Sequence, residues 1–211
     1  MTVNAIVVED DPLTRVSLVG ALEQSGVNVI GDAGTAGDAV DLSKILKPDV
    51  AILDLHLGSG PTGIDVAHAF RRQDPRMGVV FLTSYEDPRL LGSKLPPMPA
   101  GAVYLMKKSV SQLSVLEKAI KDSLRLSRDP ASSTPPGLSA LTDSQIETLK
   151  LVAKGYSNAE IARQRFVKEK SVEVTITRMA KALNISPDAA INNRVHLANV
   201  FFRAIGMNPD E

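Results

Sequence analysis

Hydrophobic and polar positions follow two different periods over residues 1–128. Short runs of consecutive apolar residues, typical of strands that are covered on both faces, occur five times. They cover residues 5–8, 27–30, 50–54, 79–83 and 102–106. Between these runs, apolar residues recur at helical spacing, over residues 12–24, 35–47, 63–73 and 111–128. Strands that alternate with helices predict an α/β fold, a doubly wound five-stranded parallel sheet.

The stretch between the fourth and fifth predicted strands departs from this alternation. Residues 87–101 contain four prolines, at positions 88, 96, 97 and 99. Proline removes a backbone donor and clashes with the preceding helical turn. We therefore expect only a short helix here, over residues 89–94.

The pattern changes after residue 128. Residues 129–139 are rich in proline and serine, which is typical of a linker. The remainder shows only helical periodicity, and Thr142 and Ser157 each stand three residues before a Gln or Glu, the spacing of a capping box. The sequence therefore predicts three parts: an α/β domain over 1–128, a linker over 129–139, and an all-α domain over 140–211.

Composition narrows the possible chemistry. Among 211 residues there is no cysteine and there are three histidines, which argues against disulfides and a zinc site. No apolar run is long enough for a membrane span, and the N-terminus does not resemble a secretory signal, so we expect a cytoplasmic protein with no membrane partner. The net charge is zero, but residues 150–181 hold eight basic and three acidic residues. This local excess favours an anionic partner for the all-α part.

Ionisable and hydroxyl groups follow the predicted strands where those strands end. Glu9 and Asp10 follow the first strand, Asp54 ends the third, Thr83 ends the fourth, and Lys107 follows the fifth. The carboxyl ends of parallel strands meet at one edge of the sheet, where sites form. Clustered carboxylates repel one another unless a cation offsets their charge, and oxygen ligands favour Mg²⁺. Taken by itself, Asp54 could equally be a helix cap or a surface charge.

A metal beside a carboxylate, an ammonium and a hydroxyl can hold a phosphoryl group. In such a site the metal and Lys107 would offset the charge on the phosphoryl oxygens, and Asp54 would be the nucleophile.

Four segments resemble the motifs of two-component receiver domains, in the same order and at the same spacing. They are Ile-Val-Val-Glu-Asp-Asp-Pro, Ala-Ile-Leu-Asp-Leu, Phe-Leu-Thr-Ser-Tyr and Tyr-Leu-Met-Lys. The resemblance implies that Asp54 is the phospho-acceptor and that Mg²⁺ binds Asp10 directly, Glu9 through water, and the backbone carbonyl of His56. It also implies that Thr83 and Lys107 bind the phosphoryl oxygens and that Thr83 and Tyr104 act as the switch residues. Such a domain accepts and loses its own aspartyl phosphate and turns over no external substrate.

The match has departures, and two alternatives stay open. Gly58 stands where receivers usually have proline, and the loop from there to Gly63 is one residue longer than usual. One alternative is a receiver that keeps the fold but is not phosphorylated. Another is a haloacid-dehalogenase-type phosphatase, but that family has a second aspartate two residues after its nucleophile, where this chain has His56.

Residues 140–205 resemble the LuxR-type helix-turn-helix of NarL/FixJ response regulators, chiefly through Gly155-Tyr156-Ser157-Asn158-Ala159-Glu160-Ile161-Ala162. The resemblance implies a supporting helix over 157–165 and a recognition helix over 170–183 that enters the major groove. It places Glu173, Val174 and Thr177 at base-reading positions. Basic residues nearby would contact DNA phosphates, namely Lys168, Lys170, Arg178 and Lys181. Glu173 and Thr175 replace the Lys and His that this family commonly shows.

The last predicted helix, residues 187–206, is apolar on more than one face and is a candidate homodimer contact. The sequence thus indicates a response-regulator transcription factor that a sensor histidine kinase phosphorylates on Asp54 and that binds double-stranded DNA. Two further hypotheses stay open. One is a phosphorylation-independent DNA-binding regulator controlled by protein contacts through residues 87–101, and the other is a helical module that binds protein instead of DNA.

Overall fold

The computed structural model of the protein describes residues 2–92, 95–110, 112–128, 138, 140–185 and 192–207. The chain divides into two compact units. The first contains Met1–Ser84 and Leu95–Thr134, and the second contains Tyr85–Lys94 and Pro135–Glu211. Among the described residues, no helix combines the length and apolar character needed to cross a membrane.

A five-stranded parallel sheet lies at the centre of the first unit. Its strands are β1 (Asn4–Val8), β2 (Asn28–Ala33), β3 (Val50–Leu53), β4 (Gly78–Thr83) and β5 (Val103–Met106). Their order is β2-β1-β3-β4-β5, and β3 and β4 are buried along their whole length. Burial on both faces explains their uninterrupted apolar runs and confirms the predicted fold class.

Four helices accompany the sheet: α1 (Pro12–Gln24), α2 (Ala36–Leu46), α3 (Gly63–Gln73) and α4 (Leu113–Leu126). The first three begin at side chains that accept a backbone N–H, and Thr62 forms a complete capping box with Asp65 ahead of α3. The fourth is shorter than predicted. A 3₁₀ turn occupies Lys107–Ser109, and Gln112, at the N-cap of α4, makes no side-chain capping bond.

The helix predicted over residues 89–94 is wrong for the described residues 89–92. The structure instead has a single 3₁₀ turn, Pro88–Leu90, which Asp87 caps by accepting the N–H of Arg89. Asp87 is buried, and its carboxylate also accepts the Arg89 guanidinium at 2.7 Å. This local pairing stabilises the turn. The prolines that follow in the sequence disfavour its extension into an α-helix.

The second unit combines the segment Tyr85–Lys94 with four helices in the described part of the chain. They are α5 (Asp143–Ala153), α6 (Asn158–Gln164), α7 (Glu169–Ala182) and α8 (Asn193–Ala204). Leu90 joins their apolar core, together with Leu138 from the predicted linker. Asn192 caps α8, so this helix is shorter than predicted, and the expected start at Pro187 lies outside the described residues.

Arg89 links the segment Tyr85–Lys94 to the start of the helical part of the second unit. Its guanidinium donates to the carbonyl oxygens of Leu138 at 2.9 Å and Leu141 at 2.8 Å, and to Asp143 Oδ1 at 3.0 Å. The hydrogen bonds to Asp87 and Asp143 raise the pKa of Arg89, although partial burial opposes them. The segment Tyr85–Lys94 is therefore a structural part of the helical unit, although in sequence it follows strand β4.

Candidate functional site

Three carboxylates meet at the carboxyl edge of the sheet, as the strand ends predicted. Glu9 and Asp10 follow β1 and Asp54 follows β3, and one oxygen of each lies within 4.8 Å of the others. Glu9 is 2% exposed and Asp54 8% exposed. Two neighbouring parallel strands bring the acids together, because their main chains pair side by side from Ala5 and Val50 onwards.

Lys107 contacts two of these carboxylates. It stands directly after β5, and its Nζ donates to Glu9 Oε2 at 2.7 Å and to Asp54 Oδ2 at 2.8 Å. Burial by itself lowers the pKa of Lys107, but the bonds to Asp54 and Glu9 outweigh it, so the pKa is raised. The ammonium therefore stays charged and offsets part of the negative charge.

The negative charge that Lys107 does not offset affects the pKa of Glu9. Burial raises the pKa of Glu9, and repulsion from Asp54 adds to this, although the Lys107 hydrogen bond acts in the opposite direction. One ammonium faces three carboxylates in this cluster. The cluster therefore carries excess negative charge, which favours the binding of a further cation.

The loop after β3 holds Asp54 in place through its backbone. The Asp54 N–H donates to Val8 O at 2.8 Å, and the Gly63 N–H donates to Leu55 O at 2.9 Å. A Cβ on Gly63 would lie 2.0 Å from the carbonyl oxygen of Asp54, so only glycine fits. The His56 N–H lies 3.4 Å from Asp54 Oδ1, and its imidazole Nδ1 lies 3.8 Å from Asp10 Oδ2.

The two predicted switch residues lie on the neighbouring strands of the same sheet. Thr83 is the last residue of β4 and is fully buried. Tyr104 lies in β5, opposite Phe81 in the register of the sheet, and is half-buried. The β4–β5 pairing also sets Thr83 opposite Met106, immediately before Lys107.

Arg15 is a supporting residue that the sequence interpretation missed. Its Nη1 donates to the carbonyl oxygen of Glu9 at 2.7 Å, and its Nε donates to Asp32 Oδ1 at 2.9 Å. It thereby fixes the backbone of the acidic turn from α1. The only available signal was an arginine one helical turn after an acidic run, which is too common a pattern to assign a role.

In the second unit, α6 and α7 form two consecutive helices joined by a short turn at Arg165–Lys168. On α7, Val172, Ile176 and Met179 are buried. The predicted DNA-contacting residues are on the other side of the helix or at its N-cap. Of these, Lys168, Lys170, Val174, Thr177, Arg178 and Lys181 are exposed, and Glu173 is partly exposed.

Comparison with known families establishes which kinds of domain the chain contains. Residues 5–121 match the family model of the response regulator receiver domain, and residues 139–201 match that of the bacterial regulatory proteins of the luxR family. The chain belongs to the NarL/FixJ group of response regulators. The second match covers α5, α6 and α7, so this response regulator carries a LuxR-type DNA-binding domain and is a transcriptional regulator.

Two curated relatives span nearly the whole response regulator. It is 29% identical over 216 aligned positions to the transcriptional regulatory protein LiaR of Bacillus subtilis, covering 93% of this chain and 100% of LiaR. It is 30% identical over 201 positions to the probable transcriptional regulatory protein NarL of Mycobacterium tuberculosis, covering 89% of this chain and 91% of that protein.

Solved structures support the same fold. The structure of the two-component response regulator RcsB-DNA complex aligns with a TM-score of 0.52 at 23% identity, covering 95% of this chain and 99% of that one. A second structure, of two RcsB dimers bound to two parallel DNAs, gives a TM-score of 0.53 at 21% identity over the same shares. The phosphatase hypothesis has no support in these matches, all of which are to regulators.

Proposed function

We propose that this response regulator accepts a phosphoryl group on Asp54 from a sensor histidine kinase, and that the modification controls DNA binding by α6 and α7. The observation that carries the proposal is the Lys107 ammonium, which bridges Glu9 and Asp54 at 2.7 and 2.8 Å. A buried nucleophilic carboxylate beside a fixed cation is the arrangement that phosphoryl transfer needs.

In the proposed transfer, an Asp54 carboxylate oxygen attacks the phosphorus of the kinase phosphohistidine. A P–O bond forms, the P–N bond breaks, and its electron pair returns to the imidazole nitrogen. Lys107 would offset the charge on the transferred oxygens, and the Thr83 hydroxyl at the end of β4 would hydrogen-bond to one of them. We propose Thr83 and Tyr104 as the residues that respond to this change.

The acidic cluster fits Mg²⁺. All its donors are carboxylate oxygens, three of them lie within 4.8 Å of one another, and the donor set is the one that hard divalent cations prefer. We propose that Asp10 and Asp54 hold the ion directly, with the His56 carbonyl as a further ligand and Glu9 acting through water. The bound ion would supply positive charge beside the phosphoryl oxygens.

Replacement of Asp10 by asparagine should remove the response to Mg²⁺. We expect millimolar Mg²⁺ to raise the melting temperature of the wild-type chain by several degrees, because a ligand that binds only the folded state stabilises it. The Asp10→Asn variant should show little or no shift in differential scanning fluorimetry.

Asp11→Asn is the matched control for this experiment. Asp11 belongs to the same acidic run but caps α1 by accepting the Thr14 N–H, and asparagine caps equally well. Its Mg²⁺ response should equal that of the wild type. A retained shift in Asp10→Asn, or a lost one in Asp11→Asn, would contradict the proposed ligand set.

For the DNA-binding domain, we propose that α7 enters the major groove with its exposed side facing the bases. Glu173, Val174 and Thr177 would then face base edges. Lys168, Arg178 and Lys181 would contact phosphates, which set register and salt dependence. We also propose a homodimer that uses residues 187–206, where the side chain of Val195 on α8 is half exposed.

Beryllofluoride with Mg²⁺, which mimics an aspartyl phosphate, tests the proposed function directly. We expect it to raise the affinity for operator DNA by about 5- to 150-fold, the usual range of coupling between two sites. Fluorescence anisotropy would measure the affinity, and light scattering the oligomeric state, with and without the analogue.

The alternative is a DNA-binding regulator that does not depend on phosphorylation. Its support is the segment Tyr85–Lys94, which forms no α-helix in the described residues and packs in the helical unit. An unchanged affinity and an unchanged oligomeric state with the analogue would favour this alternative over the main proposal.

A further inference from the structure

An acidic side chain stands on the face of α7 that is proposed to meet DNA. Glu173 lies three residues after Lys170, and Lys170 Nζ donates to Glu173 Oε2 at 2.7 Å. Both side chains reach solvent, with 82% of Lys170 and 44% of Glu173 exposed. An exposed ion pair of this kind contributes little to stability, so the pair has no evident structural role.

The position of the pair is suited to base reading. In a helix-turn-helix the N-terminal residues of the second helix contact base edges, and Lys170 and Glu173 lie in the first turns of α7. Val172 and Ile176 on the same helix face the core, which turns the pair away from it. A carboxylate repels phosphates, so among the groups that DNA presents only a donor on a base can hydrogen-bond to it.

The chemistry of the major groove restricts that donor to two bases. Guanine presents only acceptors there, and thymine presents an acceptor and a methyl group. Adenine N6–H lies between two acceptors, its own N7 and thymine O4, both of which repel a carboxylate. Cytosine N4–H has an acceptor on one side only, so a carboxylate favours cytosine.

Lys170 can donate to the guanine that pairs with this cytosine. In a C·G pair, cytosine N4 and guanine O6 lie about 2.9 Å apart, the usual N–H···O distance. Lys170 Nζ and Glu173 Oε2 present a donor beside an acceptor at 2.7 Å, which is the complementary arrangement. Guanine N7, next to O6, gives the ammonium a second acceptor. Thymine O4 in an A·T pair has no second acceptor beside it on the same base.

We propose that the Lys170–Glu173 pair reads one C·G base pair of the operator, with Glu173 accepting from cytosine N4 and Lys170 donating to guanine. This inference rests on the proposed entry of α7 into the major groove. It assigns Lys170 to a base in place of the phosphate contact that the family resemblance implies, because its ammonium is already directed towards Glu173.

The test is in vitro selection from random DNA with the full chain, beryllofluoride and Mg²⁺, followed by affinities for single base-pair changes. In the wild type, one C·G position should be required, and changing it should weaken binding by about 5- to 150-fold. Glu173→Gln should lose that requirement and prefer A·T at the same position, because glutamine pairs with adenine N6 and N7. Lys170→Met should also lose the requirement.

Glu169→Gln is the matched control. Glu169 is an exposed acid in the first turn of the same helix, and within the described part of the chain Lys170 pairs with Glu173 and not with Glu169. This variant should keep the C·G requirement, with affinity equal to or slightly above wild type for every sequence.

The outcomes separate this inference from the proposed function. Tighter binding of Glu173→Gln to all sequences, with the C·G requirement intact, would show that Glu173 only repels phosphates and would overturn the inference. Wild-type binding that is absent, or that does not weaken with added salt, would instead refute the proposed DNA-binding mode itself.

Discussion

Replacing Asp54 with asparagine should abolish phosphoryl uptake. The amide has nearly the same shape as the carboxylate but lacks the anionic oxygen that attacks phosphorus, so the transfer has no nucleophile. We expect stoichiometric uptake by the wild type from acetyl phosphate with Mg²⁺ and undetectable uptake by Asp54→Asn. Intact-mass spectrometry would measure the added phosphoryl group.

The control for this variant is Asp41→Asn. Asp41 is an exposed aspartate on α2 that pairs with Lys44, away from the acidic cluster, and its replacement should leave uptake at the wild-type level. Circular dichroism should show that both variants are folded. Equal uptake by Asp54→Asn and the wild type would refute the assignment of Asp54 as the acceptor. No uptake by either protein would instead favour a receiver that keeps the fold but is not phosphorylated.

A Gly63→Ala substitution should be the most destabilising single-methyl change in the site. The new Cβ would lie 2.0 Å from the Asp54 carbonyl oxygen and 3.2 Å from the Leu55 Cα, both of them backbone atoms. Neither can rotate away, so the loop after β3 or the start of α3 must shift. We expect a loss of about 3 kcal/mol or more in the free energy of unfolding, at the upper end for overpacking.

The same shift should also impair the chemistry, because the atom that must move belongs to Asp54. Slower phosphoryl uptake should therefore accompany the loss of stability, measured by urea unfolding and by the uptake assay. Gly20→Ala is the matched control, since Gly20 lies within α1 and a Cβ added there would meet no neighbouring atom within 4 Å. The free energy of unfolding of Gly20→Ala should rise by about 0.5–1 kcal/mol, because alanine has the higher helix propensity. Similar stability of the two alanine variants would contradict the steric argument.

Local signals predicted much of the first unit. Helix α3 runs from Gly63 to Gln73, as expected, because the capping box at Thr62 defines its start locally. The apolar runs located the five strands to within a few residues, since burial on both faces requires such runs. The acidic cluster followed from these strands, because a parallel sheet gathers its strand ends at one edge.

Distant contacts explain where the sequence interpretation failed. Arg89, in the turn at Pro88–Leu90, bonds to Leu138, Leu141 and Asp143, which stand 49 to 54 residues later and place this segment in the helical unit. No local pattern reports such a pairing, so the proline-rich stretch suggested only a shortened helix. Arg15 was missed for a related reason, because its role depends on which carbonyl its guanidinium reaches.

The sequence by itself determined the alternation of strands and helices and placed the acids and the lysine at the strand ends, since each follows from a period or a spacing along the chain. Only the tertiary structure decided that Lys107 bonds to both Glu9 and Asp54, and that residues 85–94 complete the helical unit. It also decided that Lys170 and Glu173 form an ion pair. The physical reason is the same in each case: hydrogen bonds and ion pairs depend on distances of about 3 Å between side chains, and backbone packing sets these distances.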